Sequence, residues 1–240
     1  MQLNQQAPEK RVHQSHLSVY SVFDTIQGEG PFCGTPAVFI RLAGCNLQCP
    51  ACDTDYTSGR TDCTVEHVVN LVKLASNRVP GLVVITGGEP FRQDIGALIG
   101  ALCAEAYYVQ IETNGTLPPP INAMQYIHTN TSSRRGAFVV CSPKTGAVHP
   151  ATIDAACCYK YVMSADSVDP RDGLPVLALD HSAAPRVARP PVAFRRPVYL
   201  QPMDEQNVED NARHLRACMD SCMEHGYILQ IQLHKLLGVL

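Results

Sequence analysis

Short apolar runs that end in polar residues recur along the chain, separated by longer stretches with helical spacing. Ala37-Val38-Phe39-Ile40-Arg41-Leu42 is apolar almost throughout, the composition of a strand buried on both faces. Leu82-Val83-Val84-Ile85 repeats that composition and runs into Thr86-Gly87-Gly88-Glu89-Pro90. Val109-Gln110-Ile111-Glu112-Thr113-Asn114-Gly115, Phe138-Val139-Val140-Cys141-Ser142-Pro143-Lys144, Val198-Tyr199-Leu200-Gln201-Pro202 and Leu229-Gln230-Ile231-Gln232-Leu233-His234 follow the same layout. Leu17 to Thr25 reads as a first short strand or an entry segment. Val65, Val68, Val69, Val72 and Leu74 share one helical face, with Thr64 placed as its N-cap. Ile95 to Tyr107 and Val208 to Glu224 are further predicted helices. Cys218 and Cys222, at i and i+4 on the apolar face of the last helix, read as core.

Strands alternating with helices, and ending in polar groups, predict a parallel sheet with right-handed crossovers. The pattern gives about six strands and an α/β fold, a partial, modified TIM-type (β/α)6 barrel. Two stretches break the rhythm. Pro118 to Gly136 reads as loop plus an irregular helix. Ser164 to Pro197 is too rich in proline for a regular crossover helix and reads as a surface excursion, with Arg171, Arg186, Arg189, Arg195 and Arg196 solvated. One domain over residues 1–240 is expected, with 1–16 as a flexible extension.

Composition narrows the class. The chain has 240 residues, 45% hydrophobic and 17% charged, with a formal net charge of -3. That is ordinary for a globular enzyme, and no basic excess points to nucleic acid. No apolar run approaches the roughly 20 residues of a membrane span, and Met1 to Gln14 lacks a signal-peptide core, so no membrane and a cytoplasmic location are expected. Eleven cysteines, an odd count in a chain of this size, favour reduced thiols with a metal centre over a disulfide framework.

The candidate chemistry starts at Cys45-Asn46-Leu47-Gln48-Cys49-Pro50-Ala51-Cys52-Asp53-Thr54, directly after a predicted strand. The spacing C-x3-C-x2-C supplies three thiols, and the next cysteine or histidine is Cys63. A closed zinc site needs four ligands, usually as two short pairs, so an iron-sulfur cluster with one iron free of protein ligands fits better. Zinc and three structural thiols remain the alternatives. Gln27-Gly28-Glu29-Gly30-Pro31 demands a tight loop presenting Gln27 and Glu29 from exposed backbone, a solvated turn being the plain alternative. Arg41 inside a buried strand needs an anionic partner, either a structural ion pair or a ligand. The glycines at 87 and 88 would let backbone approach a ligand.

The cysteine loop followed by Gly87-Gly88-Glu89-Pro90 resembles the radical S-adenosylmethionine enzymes, in which the open iron of a 4Fe-4S cluster is chelated by the amino and carboxylate groups of S-adenosyl-L-methionine. Electron transfer into such a complex gives a 5'-deoxyadenosyl radical. Ile26-Gln27-Gly28-Glu29-Gly30, Arg41, Cys52-Asp53-Thr54, Ser142-Pro143-Lys144, Gln201-Pro202 and Gln232-Leu233-His234-Lys235 together resemble the 7-carboxy-7-deazaguanine synthase family, from about Val19 to the C-terminus. That resemblance implies a lyase that rearranges 6-carboxy-5,6,7,8-tetrahydropterin to 7-carboxy-7-deazaguanine with loss of ammonia in queuosine and 7-deazapurine biosynthesis, regenerating S-adenosyl-L-methionine.

Carried onto this sequence, the family pattern implies Cys45, Cys49 and Cys52 on the 4Fe-4S cluster and Thr54 on Mg2+. It implies Ile26, Gln27, Gly28, Glu29, Arg41, Thr86, His234 and Leu240 around the pterin substrate. Ala51, Cys52, Asp53, Gly87, Gly88, Glu89, Ser142, Pro143, Lys144, Gln201, Pro202, Met203 and Asp204 would line the cofactor. A homodimer and an electron donor such as flavodoxin or ferredoxin are implied as partners. Two departures stand out: Ala51 replaces the aromatic residue usual before the third cysteine, and the stretch 164–197 is unusual and could alter the dimer surface or the reductant's docking site. A glycyl-radical activating enzyme and a non-enzymatic iron-sulfur redox module are the competing functions. Gln27, Glu29, Arg41 and His234 favour a small polar substrate over a protein one.

Overall fold

The computed structural model of the chain describes residues 15–52, 54–57, 59–77, 79, 81–179 and 186–239. Its strands are β1 (His16–Ile26), β2 (Pro36–Leu42), β3 (Thr61–Thr64), β4 (Leu82–Gly87), β5 (Tyr108–Thr113), β6 (Ala137–Cys141), β7 (Ala156–Met163), β8 (Val198–Pro202) and β9 (Ile228–Leu229). They form one sheet in the order β3-β1-β2-β4-β5-β6-β7-β8-β9. From β2 to β9 every neighbouring pair is parallel, while β1 runs antiparallel to β2 and β3. Six parallel strands in chain order, β2 and β4 to β8, are the predicted partial (β/α)6 barrel.

The helices are α1 (Val65–Ala75), α2 (Gly96–Ala104), α3 (Pro150–Ala155), α4 (Val208–His225) and α5 (Leu233–Leu237). Thr64 caps α1 as its sequence position predicts, its side chain accepting from the His67 N–H at 3.1 Å, a contact worth about 1 kcal/mol. Asn207 accepts from the Glu209 and Asp210 N–H groups to start α4, and Gly226 ends it in the left-handed region at φ 75°.

Apolar side chains form three layers. Leu17, Ile40, Ile85, Leu98, Ile99 and Ile111 pack under α1 and α2 on the outer face. Tyr159, Tyr161, Leu174, Val187, Leu200 and Cys218 pack under α4 and the 164–197 stretch. Phe32, Leu82, Val84, Phe138, Val140 and Cys158 form the third cluster, from inward positions of the strands. This last cluster is the barrel's plug, with open space above it at the C-terminal strand ends.

Several expectations change. β7 and β3 are strands that the sequence pattern did not give, and the predicted strand Leu229 to His234 is instead a two-residue strand followed by α5. The Gln230 N–H still donates to the Leu200 carbonyl of β8 at 2.8 Å, and the Gln230 and Gln232 side chains turn inward to the loop after β1 before α5 begins. The proposed extension 1–16 ends sooner, since His16 already begins β1; residues 1–14 lie outside the described ones.

The 164–197 stretch takes the place of the β7 to β8 crossover helix, and residues 180–185 of it lie outside the described ones. Its arginines divide: Arg186 and Arg189 pair with Asp169 and Asp172, and Arg196 donates to the Asp154 and Ala156 carbonyls, so these three tie the stretch down, while Arg171 and Arg195 are exposed as expected. Cys218 is fully buried and Cys222 packs against it, as core.

Candidate active site

Above the plug lies a cavity of about 280 Å³ that draws its walls from the ends of nearly every parallel strand. Arg41 comes from β2, Thr86 and Gly87 from β4, Glu112 from β5, Ser142 from just past β6, Lys160 from β7 and Gln201 from β8. This is the end of such a barrel where loop residues from many strands converge.

The cysteine loop forms one wall. Cys45, Cys49, Ala51, Cys52 and Thr54 all face the cavity. Its shape is held from several sides. Gly44, at φ 83°, donates to the Tyr56 carbonyl at 2.9 Å, and Tyr56 Oη donates to the Leu47 carbonyl at 3.0 Å. Asn114 Nδ2 donates to Asn46 Oδ1 at 3.0 Å, and the Ala51 N–H reaches the Leu179 carbonyl at 3.4 Å. Leu179 also lines the cavity, so the alanine that stands at a usually aromatic position is flanked by apolar surface from the proline-rich stretch.

The donor set fits a cluster. Burial pushes the Cys45 thiol up to about 12, reinforced by Glu89 and the other two thiols, and burial also raises Cys49, against the pull of Lys144. Thiols in that setting need a cationic centre to become thiolates. Among the described residues no three of His, Cys, Asp or Glu converge tightly enough for a single ion. A cubane, which spreads its thiolates over separate corners, suits three cysteines along one wall.

The β4 loop meets this wall backbone to backbone. The Gly88 N–H donates to the Leu42 carbonyl and the Glu89 N–H to the Gly44 carbonyl, both at 3.0 Å. A Cβ on Gly88 would overlap the Gly44 carbonyl and lie 2.9 Å from the Cys45 nitrogen, and Gly87 sits at φ 116° with its missing Cβ against Leu42. Both glycines line the cavity, but their first use is to let two loops touch.

Glu89 is fully buried behind the cavity wall. It accepts from the Phe91 N–H at 3.0 Å, Thr113 Oγ1 at 2.7 Å and the Asn114 N–H at 2.7 Å. Burial raises its carboxyl, and those three donors oppose the rise.

The loop after β1 folds inward instead of presenting a solvated turn. Gln27 is 1% exposed; its Oε1 accepts from the Glu29 N–H at 3.0 Å and its Nε2 donates to Glu112 Oε1 at 3.2 Å. Ile26, Gln27 and Glu29 line the cavity, whereas Gly28 is buried against His234, which lines it. Gly30 exchanges two hydrogen bonds with the Gln230 side chain, at 2.7 and 3.2 Å, closing the barrel's last gap.

Arg41 lies with its guanidinium carbon 5.0 Å from the Phe23 ring centre. Among the described residues it forms no ion pair, so its fork is open to a ligand. Ser142 and Lys144 line the opposite side, Lys144 Nζ donating to the Ser142 carbonyl at 2.9 Å; burial and the repulsion of Lys160 lower that ammonium. Pro143 between them is buried outside the lining.

Gln201, Pro202, Met203 and Asp204 complete the rim. Gln201 Oε1 is buried with no partner among the described residues, the mark of an acceptor awaiting a ligand. Asp204 is bound by Lys235 at 2.5 Å, by the Gln206 N–H and by Asn211, which hold its carboxyl at about 2. Asp53 and Leu240 lie outside the described residues.

Glu112 and Lys160 were not singled out from sequence. Lys160, in the middle of β7, forms ion pairs with Glu29 and with Glu112, the latter at 3.0 Å. Burial would raise the Glu29 carboxyl, but Lys160, Gln232 and His234 outweigh it and hold it at about 2. Burial likewise works against the Lys160 ammonium, and Glu112 and Glu29 raise it well above the usual range. The signal was a lone charge inside an apolar run, the same signal that marked Arg41.

Comparison with known proteins agrees with this geometry. Residues 39–128 match the Radical SAM superfamily. The chain is 40% identical over 232 residues to a 7-carboxy-7-deazaguanine synthase of Rhodospirillum rubrum, covering 93% of this chain and 92% of that one. It is 36% identical over 233 residues to the enzyme of the same name from Rickettsia prowazekii, covering 93% and 88%. The crystal structure of QueE from Escherichia coli superposes with a TM-score of 0.65 at 26% identity, covering 90% of this chain and 94% of that one.

Proposed function

Because the chain belongs to the 7-carboxy-7-deazaguanine synthase family of radical S-adenosylmethionine enzymes, we infer that it is a lyase converting 6-carboxy-5,6,7,8-tetrahydropterin to 7-carboxy-7-deazaguanine with loss of ammonia, a step of queuosine biosynthesis. The observation that carries this is one cavity lined at once by the three cysteines, by Gly87 and Gly88, and by Arg41 with Glu29 and His234. When bound, the 4Fe-4S cluster and S-adenosyl-L-methionine supply reductive cleavage of a carbon-sulfur bond and, through it, abstraction of one substrate hydrogen.

The chain's own part is binding, orientation and the exclusion of water. Cys45, Cys49 and Cys52 would hold the cluster. Ala51, the Gly87 and Gly88 backbone, Ser142, Lys144, Gln201, Pro202, Met203 and Asp204 would line the cofactor, with the orphan Gln201 Oε1 available to one of its N–H or O–H groups. Glu89, Pro143 and Gly28 act from behind the wall. Glu89 fixes the β4 loop against β5, and Gly28 seats His234.

Arg41 offers a planar donor fork to the substrate carboxylate. Ile26, Gln27, Glu29, Thr86 and His234 would border the heterocycle. Thr54 is assigned to Mg2+, whose preference for oxygen suits a hydroxyl beside a carboxylate and waters. A flavodoxin or ferredoxin as reductant, a homodimer and a cytoplasmic location belong to the same proposal. No described helix is long and apolar enough to cross a membrane. Family membership sets aside the glycyl-radical activase and the non-catalytic redox module.

The test is anaerobic. The chain is loaded with iron and sulfide, then given S-adenosyl-L-methionine, reductant and the carboxypterin, and the product is identified by mass. Failure to form the deazaguanine with cluster and cofactor intact would overturn the substrate assignment. Cys49→Ala is expected to lose the cluster's visible absorbance, and full retention would refute its role as ligand.

A further inference from the structure

Between the apolar plug and the cavity lies a charged layer. Lys160 is 5% exposed, and its ammonium bridges Glu29, from the loop after β1, and Glu112, on β5. Cys158, two residues back on the same face of β7, already belongs to the plug. Three amides feed the carboxylates: Gln232 Nε2 donates to Glu29 Oε1 at 2.8 Å, and Gln110 and Gln27 donate to Glu112 Oε1 at 2.9 and 3.2 Å.

Stability does not explain such a layer. Buried ion pairs are often replaceable by apolar groups of similar volume at no cost, because desolvation offsets their attraction. This one is also unbalanced, with one ammonium against two carboxylates. The side-chain donors of Lys160, Gln27, Gln110 and Gln232 all run into its carboxylates, and a carboxylate has about four acceptor sites, of which Glu29 uses two and Glu112 three. The excess negative charge and the unused lone pairs ask for the same thing, a donor from the cavity that both residues line.

We propose that Lys160 is a positioning residue of the substrate site: its ammonium holds Glu29 and Glu112 side by side as an acceptor pair for the N–H edge of the ligand, while Arg41 takes the ligand's carboxylate. This rests on the carboxypterin reading above. The charged and titratable groups facing the layer are Cys33 from the loop after β1, Lys144 from the loop after β6, His234 from the C-terminal segment and Cys158 from β7 itself. A substrate polar at both ends is thereby oriented before any chemistry, and a heterocycle lacking either end forfeits one anchor.

Lys160→Met removes the ammonium and keeps the volume. Two buried carboxylates that lose their shared ammonium take up a proton more readily, and a protonated carboxyl presents a donor where an acceptor is needed. Dissociation constants for 6-carboxy-5,6,7,8-tetrahydropterin are measured by calorimetry on the cluster-loaded chain with S-adenosyl-L-methionine and no reductant, as a variant-to-wild-type ratio in which His234 cancels. The ratio is expected to be about tenfold at about pH 6.5 and to fall towards one by about pH 9. Under turnover, KM should rise more than kcat falls.

Lys160→Met/Glu112→Gln restores the wild-type charge count and is expected to remove the pH dependence of the ratio; it also serves if the single variant does not load. A ratio near one at every pH for Lys160→Met overturns the proposal. So does a double variant whose ratio still varies with pH; a ratio raised by the same factor at every pH is the expected result of losing one acceptor of the pair. If the wild type neither binds nor converts the carboxypterin, the substrate reading fails instead, which a normal wild type beside an unaffected variant distinguishes.

Discussion

Gly88→Ala tests whether the Gly-Gly-Glu-Pro loop serves the fold before it serves a ligand. The new Cβ would overlap the Gly44 carbonyl, a backbone atom that cannot rotate aside. Relief requires the β4 loop and the cysteine loop to separate, with loss of Gly88 N–H to Leu42 O and Glu89 N–H to Gly44 O, both now at 3.0 Å. Two backbone hydrogen bonds at about 1 kcal/mol each, with about 1–3 kcal/mol for overpacking, give about 3–5 kcal/mol. That is a large part of the roughly 5–15 kcal/mol that a native domain possesses.

The assay is urea unfolding of the cluster-free chain, followed by iron content after anaerobic loading. With a slope of about 3 kcal/mol per molar urea, the midpoint should fall by about 1 M or more, and the variant should load poorly. Gly81→Ala is the control, since a Cβ there meets nothing within 4 Å, and it should shift stability by less than about 0.5 kcal/mol. A wild-type midpoint for Gly88→Ala, with a defect only in cofactor binding, would show that the glycine is there for the ligand and refute this account.

Two further outcomes are expected. Gln230→Leu keeps the bulk but removes the acceptor of the buried Gly30 N–H, while the Gly30 carbonyl retains the Cys33 N–H at 3.3 Å; one unpaired buried donor costs about 1–3 kcal/mol, amide exchange at Gly30 should accelerate, and unchanged exchange would refute the latch. Lys235→Met acts through Asp204, whose carboxyl sits at about 2 chiefly because Lys235 bonds to it. A depressed carboxylate stabilises the fold above its unfolded value of about 4 and loses that contribution as pH falls through about 2. The stability gap between wild type and Lys235→Met should therefore be full near neutral pH and close in acid, and a gap that does not vary with pH would sink the assignment.

Sequence patterning was sufficient wherever one physical signal dominated. β4 and β6, and β2 apart from Arg41, are buried and read as apolar runs, β5 alternates Val109 and Ile111 with Gln110 and Glu112, and α1 and α4 combine an amphipathic face with a polar cap. β7 is an apolar run like β2, but it follows a six-residue helix without a break and carries Lys160 at its centre, a charge that a buried strand tolerates only once the sheet supplies its partners. Those partners lie 131 and 48 positions away, a distance no local pattern spans. The segment after residue 229 alternates like a strand, but its glutamines are spent on the loop after β1. Ala51 and the proline-rich stretch stood as two separate oddities in the sequence, and in the fold they are neighbours through Leu179.

The Gly30 to Gln230 latch joins positions 200 residues apart. A chain emerging residue by residue from the ribosome can pair β1, β2 and β4 early, since those contacts are close in sequence, yet it cannot shut the barrel until residue 230 has been made. For most of synthesis Cys45, Cys49 and Cys52 therefore sit on a half-built wall with one side open. The loop that carries Gln27 and Glu29 thus gains its outer support only when translation is nearly complete, after the cysteine loop and all the parallel strands up to β9 have been made.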